Sequence, residues 1–165
     1  MEKLVILVGI PGSGKTTLAQ RLVKKGYVWL NADTVREKIF GDAAHQEDAR
    51  QVYSILYEQI EKALAERLDI VIDNTNLNAK QRKPFLDRAY NAGYKDIQLW
   101  LLDVPLDLCL ERNRNRSRTV PEDVMVNMHT ELHERGIPRK SEGVLVVLRP
   151  SKEDPNKLLI FQAEK

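Results

Sequence analysis

A glycine-rich segment near the amino terminus has the residue types and spacing of a phosphate-binding loop. It matches G-x-x-x-x-G-K-T from Gly9 to Thr16, between a short apolar run and a predicted helix. Glycines let the backbone curl so that its N–H groups point at phosphate oxygens, and the helix N-terminus adds positive partial charge. Lys15 would reach the β- and γ-phosphates of a nucleotide, and the Thr16 hydroxyl would bind Mg²⁺. We therefore expect ATP and Mg²⁺ as ligands, with nucleotide contacts from Gly9, Gly12, Ser13, Gly14, Lys15, Thr16 and Thr17.

A second polar pair follows the next apolar run, at the kind of strand end where open parallel sheets bind ligands. Asp33 and Arg36 lie three residues apart at a predicted helix start, so both can face the same cleft. A carboxylate there can accept a proton from an acceptor hydroxyl, and an arginine can clamp an anionic substrate with two hydrogen bonds. The alternative is that Asp33 only caps the helix and Arg36 is a solvated surface residue.

A third polar segment begins at the end of another apolar run. Asp73 opens the sequence D-N-T-N-L-N, and an acidic residue in this place is a candidate for the magnesium side of a nucleotide site. The alternative is a plain loop that caps the following helix.

Four arginines alternate with small polar residues shortly before Pro121. The segment lacks an apolar stripe, which predicts a loop rather than a helix. A mobile arginine-bearing loop over a phosphate loop can close on ATP and stabilise the charge of the transition state. A solvated basic loop is the alternative. The four residues are Arg112, Arg114, Arg116 and Arg118.

The elements that must position these residues alternate between short apolar runs and amphipathic stretches, which predicts an α/β fold with a mostly parallel sheet. Nearly continuous apolar runs predict strands buried on both faces at residues 4–8, 27–30, 70–72, 97–102 and 144–148. Residues 157–161 are a candidate edge strand. Helices are predicted at residues 15–25, 33–40, 46–67, 80–91, 106–115 and 121–133. No linker divides the chain, so residues 1–165 are predicted to form one domain.

Composition excludes several classes of protein. With 165 residues and a formal net charge of +2, the chain is neither a strongly acidic solvating protein nor a histone-like basic one. Its longest apolar run, residues 4–10, is far too short to span a bilayer. The single cysteine, Cys109, cannot form an intramolecular disulfide, which favours a reduced compartment. We expect an unanchored cytoplasmic protein, in a phage or bacterial cytosol. Trp29 and Trp100 fall in predicted strands and are interpreted as core residues, with base stacking as the alternative.

Taken together, these pieces resemble the polynucleotide 5′-hydroxyl kinase family, to which the kinase domain of a bacteriophage end-healing kinase–phosphatase belongs. The similarity runs from about residue 4 to about residue 132. Its specific pieces occur in the family's order: N-A-D-T-V-R at 31–36, N-T-N-L-N at 74–78, D-V-P at 103–105, then the arginine run. The resemblance implies a three-layer P-loop NTPase fold, with a parallel five-stranded sheet of strand order 2-3-1-4-5 and an arginine-rich lid.

The resemblance also implies a function and roles for single residues. It implies transfer of the γ-phosphate of ATP to the 5′-hydroxyl of a DNA or RNA end. Lys15 and Thr16 match the phosphate lysine and the magnesium hydroxyl, and Asp33 matches the general base. Arg36 matches the arginine that holds the phosphate beside the acceptor nucleoside. Arg116 matches the lid arginine, with Arg114 and Arg118 as alternatives, and either Asp73 or Asn74 takes the acidic position after the third strand.

The sequence departs from the family in one respect, and it leaves two alternative functions open. The bifunctional relatives carry a D-x-D-G-T phosphatase motif that this sequence lacks, which implies a kinase without 3′-phosphatase activity. The first alternative is a small-molecule kinase of the same fold, such as an adenylate, gluconate or shikimate kinase. Adenylate kinases have D-G-F-P-R where this chain has D-N-T-N-L. The second alternative is a nucleotide-binding switch, which would need no acceptor base.

Overall fold

Strands and helices alternate along residues 1–164, the part of the chain that the computed structural model describes; Lys165 lies outside it. The strands are β1 (Lys3–Val8), β2 (Val28–Leu30), β3 (Ile70–Asp73), β4 (Asp96–Leu102), β5 (Val144–Pro150) and β6 (Leu158–Glu164). The helices are α1 (Lys15–Val23), α2 (Ala32–Phe40), α3 (Ala49–Ala65), α4 (Ala79–Asn91), α5 (Leu106–Arg114) and α6 (Glu122–Glu131). A π-helical turn, Leu132–Gly136, continues α6.

The six strands form one sheet in the order β2-β3-β1-β4-β5-β6. The first five are parallel and have the predicted order 2-3-1-4-5. The predicted strand count of five is wrong, because β6 returns through a hairpin and pairs antiparallel with β5 at the sheet edge. The apolar run at 157–161 had indicated only a candidate edge strand, and β6 runs further, to Glu164.

The middle of the sheet is buried on both faces, which makes the fold a three-layer one. The side chains of residues 4–8 in β1 are all 0% exposed, and β3 is buried along its whole length. Because successive side chains of a strand point to opposite faces, helices must cover both sides of the sheet. No helix within residues 1–164 has the length and apolar character needed to cross a membrane.

Among the element boundaries that differ from the sequence predictions, two concern the candidate site residues. Helix α2 begins at Ala32, and its N-cap is Asn31, whose Oδ1 accepts a hydrogen bond from Thr34 N at 2.7 Å. Asp33 therefore lies inside the first turn and is not the cap, so its carboxylate is free for other contacts. Residues 112–114 were predicted both as the end of a helix over 106–115 and as the start of a loop; the helix prediction is confirmed, because α5 continues to Arg114.

A buried arginine joins the segment after β3 to the segment after α6. Arg82, on α4, is only 1% exposed. Its guanidinium donates to Oε1 and Oε2 of Glu142 at 2.7 and 3.0 Å, and to the carbonyls of Asn76 and Gly136 at 2.8 Å each. Gly136 also packs so closely that a Cβ on it would lie 1.6 Å from the Leu77 carbonyl oxygen. Arg82 thus holds the polar loop after β3 through a hydrogen bond to the Asn76 carbonyl, and its ion pair with Glu142 fixes the guanidinium in place.

Candidate active site

The segment from residue 9 to residue 16, here called the phosphate loop, connects β1 to α1 in a conformation that requires glycine. Gly12 and Gly14 have φ of +82° and +98°, in the left-handed region that side chains rarely adopt. A Cβ on Gly12 would lie 2.6 Å from the Cys109 carbonyl oxygen, so α5 packs directly on the loop. The Gly9 N–H donates to the Thr75 carbonyl at 3.1 Å, which ties the loop to the segment after β3.

The start of α1 is open to an anion. Its N-cap, Gly14, has no side chain to accept a hydrogen bond from the first helical N–H groups. Among residues 1–164, the buried Ser13 hydroxyl also lacks a hydrogen-bond partner. A helix N-terminus with unsatisfied N–H groups and a free hydroxyl suits the oxygens of a phosphate chain.

Lys15 lies at the floor of the site with its ammonium close to the loop backbone. Its Nζ donates to the Ile10 carbonyl at 3.0 Å. Burial lowers the pKa of Lys15 from 10.5 to about 8, and the nearby Asp73 carboxylate opposes that shift. Because desolvation disfavours the charged form of Lys15, a bound polyanion would stabilise its ammonium group.

Asp73, rather than Asn74, faces the phosphate loop. Its Oδ2 accepts hydrogen bonds from Thr16 Oγ1 and from Trp29 Nε1, each at 3.1 Å. Asp73 is 8% exposed, and this burial raises the pKa of its carboxyl, against the effect of Lys15 and the two hydrogen bonds. Asn74 instead accepts a hydrogen bond from the Ala32 N–H at 2.9 Å and so braces the start of α2.

Asp33 and Arg36 lie together on the first turns of α2, across the cleft from the phosphate loop. Arg36 Nη1 donates to Asp33 Oδ1 at 2.9 Å. The Arg36 side chain is only 11% exposed, whereas that of Asp33 is 59% exposed. Arg118 approaches Asp33 Oδ2 to 3.8 Å from the opposite wall. Arg36 is thus not a solvated surface residue, and Asp33 is open to the cleft between two arginines.

The arginines of the run have separate positions. Arg112, on α5, donates to the carbonyls of Gly12 at 3.1 Å and Pro155 at 2.7 Å, so it braces the phosphate loop. Arg114 pairs with Glu122 at 2.6 Å on the exposed side. Arg116 and Arg118 lie on residues 115–120, here called the arginine loop, and both line the cleft.

A single side chain holds the ends of the arginine loop together. Asn113 is 2% exposed. Its Nδ2 donates to the Val120 carbonyl at 2.7 Å, and its Oδ1 accepts from the Val120 N–H at 2.9 Å. This paired contact closes the base of the loop and sets where Arg116 and Arg118 project.

These groups share one cleft of about 1150 Å³, at the carboxyl ends of β1, β2 and β3. This edge is where open parallel sheets bind ligands. The cleft has room for a nucleotide and an acceptor together. The candidate residues that line it are Gly12, Ser13, Gly14, Lys15, Thr16, Thr17, Asp33, Arg36, Asp73, Asn74, Arg112, Arg116 and Arg118. Gly9 is buried at the start of the loop.

Two residues with clear contacts in the site escaped the sequence analysis. Trp29 was interpreted as a core residue, but it is only partly buried and lines the cleft. Asn113 was passed over inside the arginine run. Two features of the sequence could have indicated them: Trp29 comes two residues before the polar end of a strand, and Asn113 lies among the arginines.

A phosphate loop between the first strand and helix of a mostly parallel sheet defines a P-loop fold of the kinase type. Residues 4–135 match the model of the AAA domain family, AAA_33, and the chain belongs to this family. The Pnkp1/Rnl/Hen1 RNA repair complex contains a chain with the same fold. That likeness has a TM-score of 0.71 at 24% identity, and it covers 80% of this chain and 44% of the other.

Two curated relatives are similar in sequence. A protein assigned as a bifunctional polynucleotide kinase/RNA ligase, from Autographa californica nuclear polyhedrosis virus, is 34% identical over 134 residues. The match covers 73% of this chain and 19% of the relative. The L-seryl-tRNA(Sec) kinase of Methanococcus maripaludis is 27% identical over 140 residues, which cover 81% of this chain and 53% of the relative. The chain thus spans about a fifth and about half of these relatives' lengths.

Proposed function

We propose that this protein is an ATP- and Mg²⁺-dependent kinase that transfers the γ-phosphate to the 5′-hydroxyl of a DNA or RNA end. One observation carries the proposal. The Asp33 carboxylate, open to the cleft and paired with the mostly buried Arg36, faces a phosphate loop whose lysine forms no ion pair within residues 1–164. A nucleotide switch has no use for such a carboxylate, whereas a kinase needs one to receive the proton of its acceptor. The similarity to polynucleotide kinases supports a nucleic acid end as the acceptor.

On the donor side, the N–H groups of the phosphate loop and the Lys15 ammonium would bind the β- and γ-phosphates. Thr16 and Asp73 fit a magnesium site, because both offer the oxygen ligands that this hard cation prefers and Asp73 Oδ1 is not the oxygen used by Thr16 and Trp29. A magnesium ion held by these residues would supply positive charge to the phosphate chain of the nucleotide. Arg116 would add positive charge from the arginine loop.

On the acceptor side, Asp33 would orient the 5′-hydroxyl and accept its proton as the oxygen attacks the γ-phosphorus. Arg36 would hold the phosphate next to the acceptor nucleoside. Its Nε is buried and lacks a hydrogen-bond partner within residues 1–164, so a donor is available. Most of the rate increase would come from holding the 5′-hydroxyl in line with the γ-phosphorus.

The proposed function includes the domain organisation, the absence of a second activity and the compartment of the protein. Residues 1–165 act as one P-loop kinase domain. This sequence confers no 3′-phosphatase activity, because it lacks the D-x-D-G-T motif. The protein works in a reducing cytosol, where the thiol of its buried Cys109 stays free.

A second acceptor follows from the similarity to L-seryl-tRNA(Sec) kinase, which covers more of both chains than the viral match does. In that case the acceptor would be the hydroxyl of a seryl group on a tRNA. The same carboxylate and arginine would serve, since the chemistry at the attacking oxygen is the same.

Acceptor-dependent ADP release tests the proposal against its rivals. The panel is a 5′-hydroxyl DNA, a 5′-hydroxyl RNA, a nucleoside 3′-monophosphate, seryl-tRNA, gluconate, shikimate, AMP and water alone. A kinase for 5′-hydroxyl ends should give release with the first three and little with the rest, whereas release with seryl-tRNA alone would establish the second acceptor. Release with gluconate, shikimate or AMP alone would establish a small-molecule kinase, and equal slow release everywhere would establish a switch. Lys15→Ala should abolish release, while Lys24→Ala, at the exposed end of α1, is the matched control.

A further inference from the structure

Trp29 and Asp73 project from the same face of neighbouring strands. In the parallel pairing of β2 with β3, Trp29 lies opposite Val71, and Asp73 is two residues further along β3. Side chains two residues apart on a strand share a face, so the register brings the indole beside the carboxylate. The indole N–H uses this proximity to donate to Asp73 Oδ2 at 3.1 Å.

The two hydrogen bonds to the Asp73 carboxylate are both accepted by the same oxygen, Oδ2. Thr16 Oγ1 also donates to Oδ2, at 3.1 Å, so these two bonds leave Oδ1 uncovered. The Thr16 hydroxyl can bind a cation through its lone pair and still donate its hydrogen to Asp73. The Trp29 N–H has no such second task. It restrains the rotation of the carboxylate whether or not the threonine moves.

We propose that Trp29 is a positioning residue, which fixes the Asp73 carboxylate so that Oδ1 is directed to the magnesium of the bound nucleotide. This inference rests on the proposed function, because it assigns the orientation of a group in that magnesium site. Outer partners of metal ligands hold the ligand in its binding orientation, and their loss commonly costs 10- to 100-fold in metal affinity. Trp29 occupies such a place for Asp73.

A role as a core residue alone does not account for the position of Trp29. It is partly buried and lines the cleft, and its only polar atom is engaged by the buried carboxylate. Trp100 offers the contrast within the same sheet. It is also partly buried in a strand, but its Nε1 donates to Gln98 Oε1 at 2.9 Å and it does not line the cleft. Trp100 is therefore the matched control residue.

The first experiment measures nucleotide binding rather than turnover. Trp29→Phe keeps an apolar ring and removes the N–H donor, and Trp100→Phe does the same elsewhere in the sheet. Binding of a fluorescent ADP analogue is measured in EDTA and across a Mg²⁺ titration. For Trp29→Phe we expect the Mg²⁺ concentration of half-maximal effect to rise about 10-fold, with affinity in EDTA unchanged. Trp100→Phe should match the unmutated protein in both conditions.

The second experiment uses the unmutated Trp29 as its own reporter, which keeps the test independent of how well Trp29→Phe folds. The sequence contains two tryptophans, so Trp29 is the sole one left in Trp100→Phe. Adding Mg²⁺ to the ADP-bound form of this variant should change its tryptophan emission. The added substitution Asp73→Asn should abolish that change.

The outcomes separate this inference from the proposed function. If Mg²⁺ strengthens binding of the ADP analogue equally in Trp29→Phe and in the unmutated protein, the positioning role is refuted and the kinase proposal stands. If Trp29→Phe lost nucleotide affinity equally with and without Mg²⁺, the positioning role would also be refuted, because such a loss indicates a structural role alone. If Mg²⁺ did not change the emission of Trp29 in the ADP-bound form, the positioning role would be refuted as well. Failure of the unmutated protein to bind the analogue in any condition would refute both.

Discussion

Replacing Arg82 with methionine should destabilise this protein much more than the loss of an exposed charge. Arg82 is 1% exposed and its guanidinium makes four hydrogen bonds, two of them to Glu142 and two to backbone carbonyls. Methionine fills much of the same volume but removes the charge. The Glu142 side chain, 11% exposed, would then be a nearly buried anion without its counter-ion. Removing one partner of such a buried pair costs about 3–5 kcal/mol.

That free energy converts into a large shift in melting temperature. The entropy of unfolding is about 2.1 cal/mol/K per residue near 60 °C, or about 0.35 kcal/mol/K for a chain of 165 residues. A loss of 3–5 kcal/mol therefore lowers the melting temperature by about 9–14 °C. Since Arg82 also binds the Asn76 carbonyl, the loop that follows β3 should loosen below the melting point.

Thermal unfolding followed by circular dichroism, with calorimetry to test two-state behaviour, measures the effect. Lys83→Met is the control on the same helix, because Lys83 is 70% exposed and its pair with Asp87 is solvated. Its melting temperature should change by no more than about 2 °C. Arg82→Met combined with Glu142→Leu should recover part of the loss, because neither charge is left alone. A fall of less than about 3 °C for Arg82→Met would refute the reasoning.

The remaining predictions concern the site. Because burial lowers the pKa of Lys15 from 10.5 to about 8, the unfolded chain holds a proton that the folded chain has lost between these values. The contribution of Lys15 to ligand-free stability should therefore rise from about pH 8 to pH 10.5, so over this range the melting temperature of the unmutated protein should increase relative to that of Lys15→Met. Asp33→Asn should lower kcat by about 10²–10⁴-fold. Arg36→Ala should weaken use of an oligonucleotide or a nucleoside 3′-monophosphate more than use of a bare nucleoside, and an equal loss on all three acceptors would show that it does not hold the phosphate. Asn113→Ala removes both hydrogen bonds that close the arginine loop, so it should raise the KM for ATP and expose the loop to protease.

The sequence predicted those parts of the fold that depend on local patterns. Most of the parallel strands are nearly continuous apolar runs, because a strand that is buried on both faces has no solvent-facing side for polar residues. The phosphate loop is equally local, since Gly12 and Gly14 mark backbone that other residues adopt at a cost. The added strand β6 was harder to predict, because its exposed apolar residues, such as Ile160 at 69%, give no clear buried face.

Contacts between distant segments explain what the sequence could not predict. Asn31 and Asp33 are both good helix caps, and only the folded chain shows that Asn31 caps α2. The sequence left Arg112 between a helix end and a loop, and only the folded chain shows it on α5, donating to carbonyls 100 and 43 residues away. The choice of Asp73 over Asn74 next to Thr16 also depends on how neighbouring strands pair. Such pairings have no signature in a single sequence.

The position of the transferred phosphate tests the central claim most directly. The protein is incubated with Mg²⁺, ATP labelled at the γ-phosphate and a 5′-hydroxyl oligonucleotide, in DNA and RNA versions, beside the same strands already phosphorylated at the 5′ end. We expect label at the 5′ terminus of the hydroxyl strands alone, with transfer reduced about 10²–10⁴-fold by Asp33→Asn. Label found only as free phosphate, or equally on the 5′-phosphorylated strands, would contradict it.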